Sequence, residues 1–131
     1  GLIREYARQK KLSLQGPLPT GEEIFAAYNA GEPEAQKALK IFARRVAVGI
    51  LSLQNVLDVE KVAIGGGISG QPLLIETLDR VYEEKILKGH PFGEEQARSL
   101  PRPEIVPCAF HNEANQIGAL VSYLNAFYPQ K

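Results

Sequence analysis

Val62-Ala63-Ile64-Gly65-Gly66-Gly67-Ile68-Ser69 runs three β-favouring residues into three glycines, and a helical pattern follows from Pro72. A strand that ends in glycines and turns into a helix lets backbone N–H groups come close to a ligand. The helix N-terminus adds partial positive charge at the same spot. A phosphate or a nucleotide suits such a turn. So does a bare strand-to-helix turn that uses glycine for positive φ. Gly65, Gly67 and Gly70 also spell G-x-G-x-x-G. That dinucleotide fingerprint needs a second strand ending in an acidic residue about 20 residues on. Lys88-Gly89-His90-Pro91-Phe92 stands there and reads as a loop, with Glu83 and Glu84 inside a helical pattern before it. The dinucleotide reading fails on this context, and no G-x-x-x-x-G-K-[ST] phosphate loop is present.

Periodicity supplies the elements around the turn. Gly1 to about Lys11 reads as a short helix, broken by Gly16-Pro17-Leu18-Pro19. Thr20 and Glu23 form a capping-box pair that opens a helix through Ile24, Phe25 and Tyr28, with Gly31 as its C′ residue. A long helix spans about Pro33 to Leu57. Leu39, Phe42, Val46, Gly49, Ile50 and Leu53 recur along it at helical spacing, and Ala38, Ala43 and Ala47 permit close packing. The strand Lys61–Ile64 follows, and a helix from Pro72 to about Leu87 turns Leu73, Leu74, Leu78 and Val81 inward. Residues 88–102 read as a loop. Glu104 to Phe110 reads as a second, parallel strand buried on both faces. Asn112 to about Phe127 reads as a final helix with Ile117, Leu120, Val121 and Leu124 inward. Strand, helix and strand make a right-handed βαβ unit. Two strands are too few for an independent sheet, so the pattern fits a piece of a larger α/β domain.

Composition narrows the function. The 131 residues amount to one domain. Fifteen basic and fifteen acidic residues cancel, and no basic block stands out, which argues against nucleic acid or an anionic membrane as partner. The apolar runs are too short to span a bilayer. The single Cys108 cannot form an internal disulfide. Without a secretory leader pattern, a cytoplasmic location is the default, and Cys108, in a strand-like run, reads as a buried inert thiol. The chain contains no methionine and begins inside a helical pattern, as a part of something longer would.

Three segments resemble one family in order and spacing. Gly31-Glu32-Pro33-Glu34-Ala35 through Leu53-Gln54-Asn55-Val56-Leu57-Asp58 leads into the glycine motif; Val62–Ser69 is the motif; Ile105-Val106-Pro107 through Asn112-Glu113-Ala114-Asn115-Gln116-Ile117-Gly118-Ala119 closes the chain. Together they resemble the C-terminal part of the ROK family of bacterial sugar kinases and sugar-responsive repressors. The resemblance implies an α/β fold: the C-terminal portion of an actin-like, RNase H-like ATPase domain, helix-rich with two parallel strands. Residues 1–131 would be a single partial domain, without the N-terminal lobe and the first strands of its own lobe. It implies ATP and Mg²⁺ as cofactors of the full-length parent. Nucleotide contacts would come from Gly65, Gly66, Gly67, Ile68 and Ser69, and from Asn112 and Asn115 where the second strand meets the last helix. Ser69 and Asn112 equally suit plain helix caps. The family's D-x-G-x-T phosphate loop and C-x-C-G-x-x-G-C zinc motif have no counterpart here, so no residue is assigned to catalysis or to a metal. His111 and Glu113, two apart, do not converge as metal ligands. His90 reads as solvated, and Asn55 as a helix-end residue that could reach toward the cleft.

The function expected from this resemblance is the nucleotide-binding segment of an ATP-dependent hexose or aminohexose kinase, inactive alone. The alternative is the effector-binding segment of a sugar-responsive repressor. ATP and a sugar are the expected partners, the sugar through residues outside the chain. The edge of the strand Lys61–Ile64 would lack a neighbour, with Val62 and Ile64 exposing apolar surface, and this predicts a homo-oligomer.

Overall fold

The computed structural model describes residues 1–89, 93–110 and 113–128, without the side chains at 86, 87, 89, 114 and 115. Its elements in chain order are α1 (Leu2–Gln9), α2 (Gly21–Asn29), α3 (Pro33–Leu57), β1 (Lys61–Ile64), α4 (Pro72–Gly89), α5 (Glu94–Arg98), β2 (Glu104–Pro107) and α6 (Ala114–Phe127).

Local chemistry sets the helix ends. At the start of α2 the Thr20 N–H donates to Glu23 Oε2 at 2.7 Å, and the Glu23 N–H donates to Thr20 Oγ1 at 3.2 Å. This is the reciprocal capping box expected from the sequence. At its end Gly31 takes φ +84°, and the N–H groups of Gly31 and Glu32 donate to the Tyr28 and Ala27 carbonyls. Two carbonyls at the helix end are thereby satisfied, and the chain reverses into α3. α3 ends on Asp58 in the left-handed region. The buried Gln54 side chain stitches that exit, donating to Asp58 Oδ1 and accepting from the Val59 N–H.

α3 is the spine. Ala35, Ala38, Ala43 and Ala47 are fully buried along it, with Leu39 and Ile50. The short side chains let α4 and α1 approach closely. α4 contributes Leu74, Leu78, Val81 and Tyr82, α1 contributes Leu2 and Tyr6, and α2 contributes Ile24 and Phe25. Burying a large side chain of this kind stabilises the fold by roughly 1.5–3 kcal/mol.

β1 and β2 pair in parallel, with Lys61 opposite Glu104 and Ile64 opposite Pro107. The chain crosses between them through α4 and α5. Val62, Ile64 and Ile105 share the face that meets the helices. Ile105 is buried, and Val62 and Ile64 are half-buried against the core. Lys61 and Glu104, ion-paired at 2.8 Å, share the other face with Ala63 and Val106.

Five sequence expectations are corrected here. β2 ends at Pro107 rather than Phe110, and only Ile105 is fully buried, because helices cover one face of the sheet. Val62 and Ile64 point into the core, and it is Ala63 that is exposed. Residues 94–98 form the short helix α5, with Ala97 buried beneath it. In α6, Leu120, Val121 and Leu124 are 56%, 48% and 43% exposed, with Ile117 half-buried. Periodicity shows that a helix has an apolar face but not what covers it. Leu53 of α3, also expected inside, is exposed as well.

A polar cluster ties α1 to α3. The Glu5 carboxylate, on a residue 3% exposed, accepts from Gln9 Nε2 at 3.0 Å, Arg45 Nη1 at 2.9 Å and Arg8 Nη1 at 3.3 Å. The Gln9 hydrogen bond and the two guanidinium groups hold its pKa below the ordinary carboxylate value, against the opposing effect of burial. Nearby, Glu32 accepts from the Tyr6 hydroxyl at 2.8 Å and pairs with Lys10 at 3.0 Å.

Two outcomes follow for stability. A group with a lowered folded-state pKa stabilises above its unfolded value, about 4.3, and loses that contribution as pH falls through the folded value. Glu5→Gln is therefore expected to cost about 1–2 kcal/mol at neutral pH. The outer ends of Arg8 and Arg45 are solvated, which keeps the figure modest. In denaturant melts the gap between wild type and variant closes as the pH drops below that range; a gap independent of pH contradicts this account. Tyr82, fully buried, has a hydroxyl with no hydrogen-bond partner among the described residues. Tyr82→Phe removes a desolvated polar group and is expected to leave stability unchanged or raise it by about 1 kcal/mol in the same melts.

Candidate functional site

The glycine turn leaves the C-terminal end of β1 and enters α4. The Cys108 N–H donates to the Ile64 carbonyl at 2.8 Å, one bond past the last paired residues. That bond holds the exit of β2 beside the glycines. Both strand ends therefore open on one edge, where ligands of parallel α/β sheets collect. Cys108 is half-buried in this position.

Within the turn Gly66 takes φ +95°. Gly65 and Gly67 do not take positive φ, so the sign of the backbone angle does not explain glycine at either. All three are exposed. A β-carbon at Gly66 would meet nothing within 4 Å, so its outer side is open. Ser69 is 1% exposed; its N–H and hydroxyl both donate to the Gly66 carbonyl, at 3.0 and 2.7 Å. The Gln71 N–H donates to the Ile68 carbonyl at 3.2 Å. The turn is closed by its own hydrogen bonds.

A cavity of about 270 Å³ adjoins it, lined by Ser69, Gly70, Pro72, Ile75, Glu76 and Pro107. The lining is mostly apolar, with backbone of the turn at one side and one carboxylate. Among the described residues no three His, Cys, Asp or Glu side chains cluster as metal ligands, and no helix is long and apolar enough to cross a membrane.

The predicted site residues separate as follows. Gly65, Gly66, Gly67, Ile68 and Ser69 form one continuous turn. His90, His111 and Asn112 lie outside the described residues. Asn115 belongs to the first turn of α6, whose backbone alone is described there. Asn55 is exposed on the last turns of α3, which lead to the start of β1, whereas the glycine turn leaves its end.

Sequence inspection missed two features. A second groove, about 290 Å³, is lined by Lys40 and Arg44 of α3 and by Lys85, Lys88 and Glu84 of α4. It lies toward the opposite end of α4 from the glycine turn. Glu84 is held below its ordinary pKa by its hydrogen bond with Lys88 and by the charges of Lys88, Lys40 and Arg80. These cations come from two helices, so no run of basic residues announces them. The second feature is Gly21, at the first position of α2, which comes against Ile68 of the turn.

Known proteins share this sequence and architecture. The ROK family profile matches residues 2–124. A β-glucoside kinase of Listeria innocua is 32% identical over 106 residues, 80% of this chain and 31% of the kinase. An N-acetyl-D-glucosamine kinase of Pasteurella multocida is 29% identical over 75 residues, 57% of this chain and 25% of that enzyme. The chain thus spans less than a third of the length of these curated relatives. The crystal structure of a ROK family protein from Streptococcus pneumoniae in complex with sucrose superposes with a TM-score of 0.75 at 25% identity, over 95% of this chain and 39% of that one. The helix-rich α/β fold with two parallel strands is thus a ROK-type, actin-like fold, and the chain belongs to the ROK family.

Proposed function

We propose that this chain is the nucleotide-binding, C-terminal segment of an ATP-dependent kinase acting on a hexose or aminohexose. The observation that carries the reading is the exposed three-glycine turn at the end of a parallel strand, beside a cavity, in a chain whose curated relatives include kinases of β-glucosides and of N-acetyl-D-glucosamine. Gly65, Gly66 and Gly67 present backbone to the nucleotide, Ile68 and Ser69 shape the turn, and Asn112 and Asn115 are assigned to the nucleotide by the family resemblance alone. ATP with Mg²⁺ supplies the phosphoryl group in the whole protein. This chain's residues bind and orient the nucleotide; the base, the metal ligands and the sugar contacts belong to the rest of the parent. Phosphoryl transfer needs all of these together, so the segment alone is inactive.

We propose also that the chain self-associates. Each strand of the sheet has a free edge among the described residues, and Leu120, Val121, Tyr123, Leu124 and Phe127 expose one side of α6. Unpaired edges and contiguous apolar surface favour association.

Titration of the ¹⁵N-labelled chain with Mg·ATP is expected to shift the amides of residues 65–69 with a Kd on the order of millimolar, about −4 kcal/mol, since a segment supplies few contacts. Gly67→Ala, which adds a methyl group within the turn, should weaken the binding severalfold. Shifts confined to other residues, or an undiminished affinity in the variant, would overturn the nucleotide assignment. A coupled ADP-release assay with a panel of hexoses should give no turnover from the chain alone. Sedimentation equilibrium is expected to show a dimer or larger species, and a monomer at high concentration contradicts the self-association.

A further inference from the structure

Ile68 carries the one large side chain of the glycine turn, and it packs half-buried against the core. Its tightest constraint comes from across the fold. A β-carbon placed on Gly21 would lie 2.7 Å from Ile68 Cγ2, closer than a carbon–carbon contact allows. Gly21 does not need glycine for its backbone, because its φ is not positive. Glycine is moreover a poor helix former. Its place at the start of α2 is therefore explained by the room that Ile68 occupies.

α2 cannot easily back away from this contact. The Thr20–Glu23 capping box keeps its first turn helical, and the next turn is anchored in the core by Ile24 and Phe25, 1% and 4% exposed. Ile68 is also restricted, since β-branched side chains have few χ1 choices. A side chain at position 21 would therefore load the segment from Gly66 to Gln71. That segment is held by the Ser69 and Gln71 hydrogen bonds to the Gly66 and Ile68 carbonyls.

We propose that Gly21 is a positioning residue for the glycine turn, acting through Ile68 to set how that turn faces its nucleotide. This rests on the nucleotide reading above. Gly21 makes no contact with the nucleotide in this scheme; it permits α2 to serve as a fixed stop behind the turn.

The test is a double-substitution cycle on the ¹⁵N-labelled chain: Gly21→Ala, Ile68→Ala and both together. Gly21→Ala is expected to shift the amides of residues 65–69 in the absence of ligand. It should also weaken Mg·ATP by roughly threefold or more, the range of coupling between contacting residues. In the Ile68→Ala background the same substitution should do neither, because the clashing methyl group is gone. If Gly21→Ala prevents folding, the double variant must fold. The proposal is overturned if Gly21→Ala leaves the turn amides and the Kd unchanged, or if its effects simply add to those of Ile68→Ala. It is overturned also if the double variant fails to fold while Ile68→Ala alone folds. Wild-type chain that binds no Mg·ATP defeats the nucleotide reading instead, while the ligand-free amide shifts still decide the contact between Gly21 and the turn.

Discussion

The packing of the other helices around α3 is the contact on which the rest of the structure depends. Ala35, Ala38, Ala43 and Ala47 each have no exposed surface, and α4 packs along the same helix with Leu74, Leu78 and Tyr82 equally buried. Small residues let two helices approach closely, and the large ones beside them fill the space at interior density. The position of α4 is set by its packing on α3. Because α4 starts at Pro72, three residues after Ser69, that packing also sets where the glycine turn sits. The β2 strand reaches the turn through its ladder with β1, and Ile105 closes the layer beneath. A two-stranded sheet is marginal by itself, and here the helices hold it in place.

Electrostatics refine this framework. Glu5 joins α1 to α3 with three donors around a buried carboxylate, and Glu32 joins α1 to the loop before α3 through Tyr6 and Lys10. Satisfying each buried polar group avoids the cost of leaving it unpaired, which exceeds the net gain of a typical hydrogen bond. The Tyr82 hydroxyl lacks such a partner among the described residues, and burial pushes its pKa up. The site itself carries a single carboxylate: the turn and its cavity offer backbone, a hydroxyl turned inward and Glu76.

Local rules and long-range contacts divide the turn between them. Gly66 answers to its own φ of +95°, a requirement that any isolated copy of the turn would share. Gly21 answers to a side chain 47 positions away in the chain, at Ile68. Both are glycines, and nothing in their flanking residues distinguishes the two reasons. The cationic groove between α3 and α4 has the same origin, since Lys40 and Arg44 meet Lys85 and Lys88 only after the helices pack.

The sequence by itself determined the elements with strong local signals. The capping box at Thr20, the glycine stop at Gly31, the extent of α3, the strand before the glycines and Pro72 at the start of α4 all depend on interactions within a few residues. It also carried the family, through the order and spacing of three segments. The tertiary structure alone decided which apolar faces are covered. It buried Leu74 and Leu78 and left Leu120 and Leu124 of α6 exposed, although the two helices show comparable patterns. It turned Val62 and Ile64 inward and limited β2 to four residues covered on one face. Periodicity encodes which side chains share a face, whereas burial depends on whether another element arrives to cover that face, and this is set by contacts between residues far apart in the chain.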